Sequence, residues 1–168
     1  MDFRLAVMQD LSKIKAVYRD MIKKMNRERI QIWDDVYPCE FFLEDIRNNR
    51  LYVLLKHDVI VSAFVLCDTH SGEGAIKWQD SRSSVLYLDR FGVHAGYART
   101  GIGSFMLERA KETAKNLGAQ YLRLFVVDIN EPAIQLYLKN GFIRKTGVYD
   151  EVIDDGVVLH EYGFEAAL

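Results

Sequence analysis

Cysteine, proline and histidine are scarce in these 168 residues, at two, two and four copies, and the scarcity excludes whole classes of chemistry. Cys39 and Cys67 are too few and too far apart in sequence to suggest a metal site. His57, His70, His94 and His160 never fall at a ligand spacing such as His-x-x-x-His, so no catalytic metal is expected. Two unpaired thiols, with nothing at the N-terminus that resembles a signal peptide, point to the reducing cytoplasm. No apolar run approaches the ~20 residues that a bilayer span needs, so no membrane partner is expected. An excess of positive charge is also missing: a net charge of −2 gives no support to a nucleic-acid footprint, which would show a basic stripe. Lys23 and Lys24 with Arg27 and Arg29 form the one dense basic stretch, which reads as a solvated helix face.

What remains is an ordinary globule, 49% hydrophobic and 27% charged. Its length suits one domain over residues 1–168, with a core of useful size. Phe3 to Val7 reads as a strand, and Asp10 as the N-cap of a helix that buries Leu11, Ile14, Tyr18, Met21, Ile22 and Met25 on one face. Pro38 suits the first turn of a short helix carrying Phe41, Phe42 and Ile46. Leu51 to Leu55 and Val59 to Leu66 form a hairpin around Lys56-His57-Asp58. Thr69 to Ser84 is polar and long for a loop, either a lid or an insertion, with Ile76 and Trp78 expected to pack back on the body.

Val85 to Val93 reads as the central strand, Ile102 to Leu117 as a helix stopped by Gly118, and Tyr121 to Val127 as a strand parallel to the first. A short helix from Pro132 to Lys139 follows. A closing hairpin, Phe142 to Val152 and Val157 to Phe164, turns at Asp154-Asp155-Gly156. The predicted fold is α/β, a mixed sheet flanked by helices with a parallel strand–helix–strand unit at its centre.

Between the central strand and its helix lies Tyr97-Ala98-Arg99-Thr100-Gly101-Ile102-Gly103-Ser104. Strand, glycine turn and helix start make an anion cradle, because the first helical N–H groups are unpaired and carry the positive end of the helix dipole. Gly96 and Gly101 have Walker spacing, but Ile102 and Gly103 replace the lysine and hydroxyl residue that a nucleoside triphosphate requires. A dinucleotide fingerprint needs a glycine where Met106 stands. The loop resembles the pyrophosphate loop of the GNAT acetyltransferase superfamily, Arg/Gln-x-x-Gly-x-Gly/Ala. Asn130-Glu131-Pro132-Ala133-Ile134-Gln135-Leu136-Tyr137-Leu138-Lys139-Asn140-Gly141-Phe142 is similar to that family's Asn-x-x-Ala-x-x-Leu-Tyr-x-x-x-Gly-Phe segment at every named position. One departure stands: Ala98 holds the usual Arg/Gln place, and the arginine comes one residue later, at Arg99.

The resemblance implies an N-acetyltransferase that uses acetyl-CoA as co-substrate and carries no metal. It puts Arg99, Thr100, Gly101, Ile102, Gly103 and Ser104 around the pyrophosphate, with Arg99 either a charge-assisted donor or a solvated loop residue. It assigns the main chain of Phe91 and Val93 to the pantetheine arm, and Asn130 to the cofactor arm or to a helix N-cap. Tyr137 becomes the donor that protonates the departing thiolate. Its other reading is a core tyrosine.

Strand alternation puts Tyr87, Asp89, Phe91 and Val93 on one face. An acid at Asp89 amid that apolar run is either the base for the amine or half of an ion pair with Arg90 or another cation. Trp33 and Tyr37, beside Asp34 and Asp35, fall where the family lines its acceptor pocket; their plainer role is packing. The expected partner is a small-molecule amine, with neither nucleic acid nor membrane, and the chain a monomer or homodimer. A non-catalytic acyl-CoA-binding sensor or regulatory module is the rival reading.

Overall fold

A computed structural model describes residues 1–153 and 156–168. The elements follow in the order β1 (Asp2–Leu5), α1 (Leu11–Arg27), α2 (Phe42–Arg47), β2 (Leu51–Lys56), β3 (Val59–Cys67), β4 (Val85–Val93), α3 (Ile102–Asn116), β5 (Tyr121–Val127), α4 (Glu131–Lys139), β6 (Ile143–Val152) and β7 (Val158–Ala167). The strands make a seven-stranded mixed sheet in the order β1-β2-β3-β4-β5-β7-β6. Contacts gather the chain into two compact units, residues 1–66 with 90–106 and residues 67–89 with 107–168. Both β4 and α3 run from one unit into the other.

In the first unit β2 pairs antiparallel with β1 and β3. His57 and Asp58 turn the β2–β3 hairpin with φ of 49° and 63°, the left-handed pair whose twist suits a two-residue loop. Ile60 to Leu66 is buried without a break. Helix α1 buries Ile14, Tyr18, Met21 and Ile22, as its spacing predicts, while Leu11 and Met25 lie at the border. Asp10 corrects one expectation: its side chain does not cap α1. It already sits in a 3-10 turn, Met8–Asp10, so its carboxylate reaches back. There it accepts from the Val7 N–H at 2.9 Å and from Arg4 at 2.7 and 3.1 Å.

In α2, Asp45 is fully buried between two arginines: Arg50 Nε at 2.7 Å, and the Arg90 fork with Nε and Nη2 each at 2.9 Å. Removing one partner of such a pair costs about 3–5 kcal/mol, because a buried charge is left uncompensated.

In the second unit β4 runs parallel to β5 from Val85↔Tyr121 to Leu88↔Leu124. β7 lies antiparallel to both β5 and β6. Gly118 ends α3 at φ +92°. Asp154 and Asp155, the expected turn, lie outside the described residues; beside them the Ile153 N–H donates to Val157 O at 2.9 Å. The segment 69–84 packs back as expected. Ile76 is buried, and Trp78 covers the Arg123 guanidinium at 4.6 Å and meets the Phe125 ring edge-on at 5.6 Å. A Cβ on Gly147 would come within 2.3 Å of Ala75 O, so only glycine lets β6 approach this segment.

Candidate active site

In the first unit, the turn after β4 is held by its own atoms. His94 Nδ1 accepts from the Gly96 N–H at 2.9 Å, and Thr100 Oγ1 donates to Tyr97 O at 2.6 Å. Arg99 and Gly101 take φ of 62° and 86°, an alternation that lets successive N–H groups converge into an anion-binding hollow. The helical ladder begins where the Phe105 N–H donates to Gly101 O at 3.0 Å, so the amides of Ile102 to Ser104 precede it. Ile102 is buried and anchors the helix start, while Arg99, Thr100 and Gly101 are exposed. A Cβ on Gly101 would meet nothing within 4 Å, so the approach is open. The residues fit a diphosphate.

Arg90 interrupts the strand upstream, at φ 49°. The extended phase of Tyr87 and Asp89 therefore does not carry to Phe91 and Val93, which corrects the single face that alternation predicts. Ser62 Oγ donates to Gly92 O at 2.6 Å, and the His94 N–H donates to Val61 O at 2.8 Å. Main-chain groups of residues 92 and 94 thus turn toward β3. Those of Phe91 and Val93 turn away from it, because backbone groups alternate sides along a strand.

Trp33 stacks on the buried Tyr18 at 5.6 Å. Tyr37 meets Phe41 edge-on at 5.3 Å and lies under the Arg90 guanidinium at 5.8 Å. Asp34 Oδ1 accepts from the N–H groups of Val36 and Tyr37, both at 2.8 Å, so this acid shapes the turn that carries Tyr37.

The second unit holds Asp89, Tyr137 and Asn130. Asn130 precedes α4, but its side chain makes no capping bond; the main-chain oxygen alone accepts, from the Ile134 N–H at 3.1 Å. Tyr137 is 7% exposed, its ring against Phe142 at 5.9 Å and Phe164 at 6.3 Å. Burial, and secondarily the Asp89 charge, push its phenol well above the ordinary tyrosine range. It keeps its proton through neutral pH. Structure thus brings Asp89 and Tyr137 within electrostatic reach of each other.

Two further acids, missed in the sequence, join them. Glu151 pairs with Leu159 and Tyr149 with Glu161 in the β6–β7 register, so Glu151 and Glu161 share one face of the hairpin and stand diagonally. They hydrogen-bond to each other. Burial pushes Glu161 up to about 8, helped by Glu151 and then by Asp89. Glu151 is raised by burial and then by Asp89. Both acids were visible in the sequence, but their meeting depends on the hairpin register. Among the described residues no group of three His, Cys, Asp or Glu stands close enough to hold a metal, and no helix is long and apolar enough to cross a membrane.

Residues 15–142 match the profile of the Acetyltransferase (GNAT) family. With this fold and a match over well more than half of the chain, the class is acyltransferase. The chain belongs to the GNAT acetyltransferase family. It is 28% identical over 145 residues to YwnH of Bacillus subtilis (strain 168), provisionally assigned as a phosphinothricin acetyltransferase; the match covers 84% of this chain and 83% of YwnH. A GNAT-family acetyltransferase of Streptococcus agalactiae 2603 superposes with a TM-score of 0.79 at 18% identity, over 99% of this chain and 95% of that one. YncA of Salmonella typhimurium, solved with its cofactor acetyl-CoA, gives a TM-score of 0.73 at 19% identity, over 100% and 94%. At such identities these two likenesses are of fold. Acetyl-CoA is the acyl donor of the family.

Proposed function

We propose that the chain is a single-domain, acetyl-CoA-dependent N-acetyltransferase of the cytoplasm that acts on a small primary amine without a covalent enzyme intermediate. The family match runs across both compact units, which supports one functional domain. The observation that carries the reading is the pairing of a protonated, buried phenol with a carboxylate: Tyr137 and Asp89 supply an acid and a base in one unit. Acetyl-CoA supplies the activated thioester. Amides of Ile102 to Ser104, with Arg99 and Thr100, hold its diphosphate, and the main chain of Phe91 and Val93 with Asn130 lies along the arm.

An alkyl ammonium, with a reference pKa of about 10.4, must lose a proton before its nitrogen can attack. Asp89 takes that proton, directly or through a water. When the tetrahedral intermediate collapses, Tyr137 protonates the thiolate and regains a proton from the new amide nitrogen. One proton per turnover passes to solvent. Trp33 and Tyr37 line the acceptor side. YwnH's name supports a small-molecule acceptor.

The test is free-thiol release from acetyl-CoA across a panel of amines, amino acids and peptides. Turnover with a small amine is the expected result. Tight coenzyme A binding without turnover on the whole panel would favour the sensor reading.

A further inference from the structure

Among the described non-glycine residues with positive φ, Arg29, Asn49, His57, Asp58 and Arg99 lie in turns, where that conformation closes a bend. Arg90 alone lies inside a strand, at φ 49°. The left-handed region crowds the Cβ of an L-residue, so it persists only where the surroundings over-determine it.

Here the surroundings grip Arg90 at both ends. Its guanidinium lies on the fully buried Asp45 as a planar fork, Nε to Oδ2 and Nη2 to Oδ1, both at 2.9 Å. A fork fixes direction as well as distance. Arg50 Nε, 2.7 Å from Oδ1, holds the same carboxylate in place. At the main chain, Tyr18 Oη donates to Arg90 O at 2.5 Å and shares that hydrogen with Ala63 O of β3 at 3.2 Å. Two residues on, Ser62 Oγ holds Gly92 O, and a Cβ on Gly92 would come within 2.8 Å of Met21. All of these residues belong to the first unit. A buried ion pair adds little net stability over apolar residues of the same volume, so stability alone does not account for this lock. What it does fix is the course of the main chain into Phe91 and Val93.

We propose that Asp45 and Tyr18 are positioning residues for acyl transfer: through Arg90 they hold the left-handed kink that turns the main chain of Phe91 and Val93 away from β3 and toward the acyl arm of acetyl-CoA. This rests on the acetyltransferase reading above. Asp45 sets the direction of the Arg90 side chain, and Tyr18 sets that of its carbonyl. With both ends fixed, the backbone between them keeps φ 49° without a glycine. A strand free to relax there would return to extended geometry and lose the main-chain presentation of Phe91 and Val93.

The experiment compares Arg90→Ala with Arg90→Gly. Both delete the guanidinium, with its contacts to Asp45 and to Tyr37 Oη at 3.4 Å, so both are expected to melt earlier than the parent. They differ in that glycine enters the left-handed region freely and alanine does not. Arg90→Ala is expected to lower kcat about 10- to 100-fold, because a small misplacement of the reacting groups is enough for that loss. Arg90→Gly is expected to recover most of it, and coenzyme A affinity to stay nearly unchanged in both. Tyr18→Phe keeps the ring on Trp33 and Phe42 and removes only the hydroxyl; it carries the test where the Arg90 variants fail to fold, and its kcat is expected to fall with little change in KM. Amide NMR reads the main chain without turnover. The Phe91 and Val93 signals should move on adding acetyl-CoA to the parent and to Arg90→Gly, and respond less in Arg90→Ala and Tyr18→Phe. Equal kcat in the alanine and glycine variants, or a Tyr18→Phe protein with parent kcat and parent amide response, would overturn the proposal and leave the lock a matter of stability. No thiol release from the parent with any amine would instead remove the acetyltransferase reading, and the amide response would still decide whether the kink sets this main chain.

Discussion

Tyr137 shows how one side chain answers two questions at once. Its ring is core, packed on Phe142 and Phe164, so the plain reading from sequence is correct as far as it goes. Its hydroxyl senses Asp89, and burial keeps that hydroxyl protonated at any physiological pH. Tyr137→Phe separates the two roles, because it retains the ring and deletes only the proton. Turnover is expected to fall roughly 100- to 10,000-fold with coenzyme A affinity and melting temperature nearly unchanged. Stopped-flow thiol release and calorimetry measure the two sides. A variant that keeps most of its turnover would mean that water protonates the thiolate or that chemistry is not the slow step.

Among the elements, β4 and β5 occupy the residues their apolar, β-branched runs predict, Val85–Val93 and Tyr121–Val127. Helix α1 was legible from spacing and α3 from its glycine stop. What escaped was anything set by a partner distant in the chain. Arg90 adopts φ 49° beside the buried Asp45, forty-five residues away, and no alternation pattern encodes that kink. Asp10 turns to Arg4 instead of capping, because a cation and a 3-10 turn outcompete the helix end. No sequence pattern pairs Glu151 with Glu161; the hairpin register alone brings them together.

The glycine turn was legible because its chemistry is local, and it gives an element-scale test. In Gly103→Asp a carboxylate enters the first turn of α3, where the helix dipole favours negative charge, so the helix is expected to persist. The same charge opposes a diphosphate over the Ile102–Ser104 amides. Coenzyme A affinity is expected to weaken at least about tenfold with the circular dichroism unchanged. Parent-like affinity by calorimetry would take the cradle away from this loop.

For the whole molecule, these acids and bases set how stability follows pH. Glu161 carries a folded pKa of about 8 against an ordinary 4.5. Below 4.5 both folded and unfolded chains hold its proton, and its contribution is fully present. As pH rises through that window the unfolded chain releases the proton while the folded chain keeps it, so the balance shifts toward unfolding until about 8. His160, raised by Asp150, works in the same direction over a window that opens at its ordinary 6.5. Asp10 works oppositely: Arg4 holds it below the usual range, and its contribution is lost as pH falls through that depressed value. Stability is therefore expected to peak on the acid side of neutrality and decline toward pH 8.5. Glu161→Gln isolates the largest contributor. An uncharged amide in the same place has its own cost at every pH, so the slope is the informative quantity, not the absolute melting temperature. Melting temperatures from pH 4.5 to 9 should fall less steeply in the variant, and the flattening should be complete by about pH 8. Parallel curves would show that Glu161 titrates normally in the fold. A flattened curve would show that the fold holds the Glu161 proton through neutral pH, at a cost in stability that grows until about pH 8.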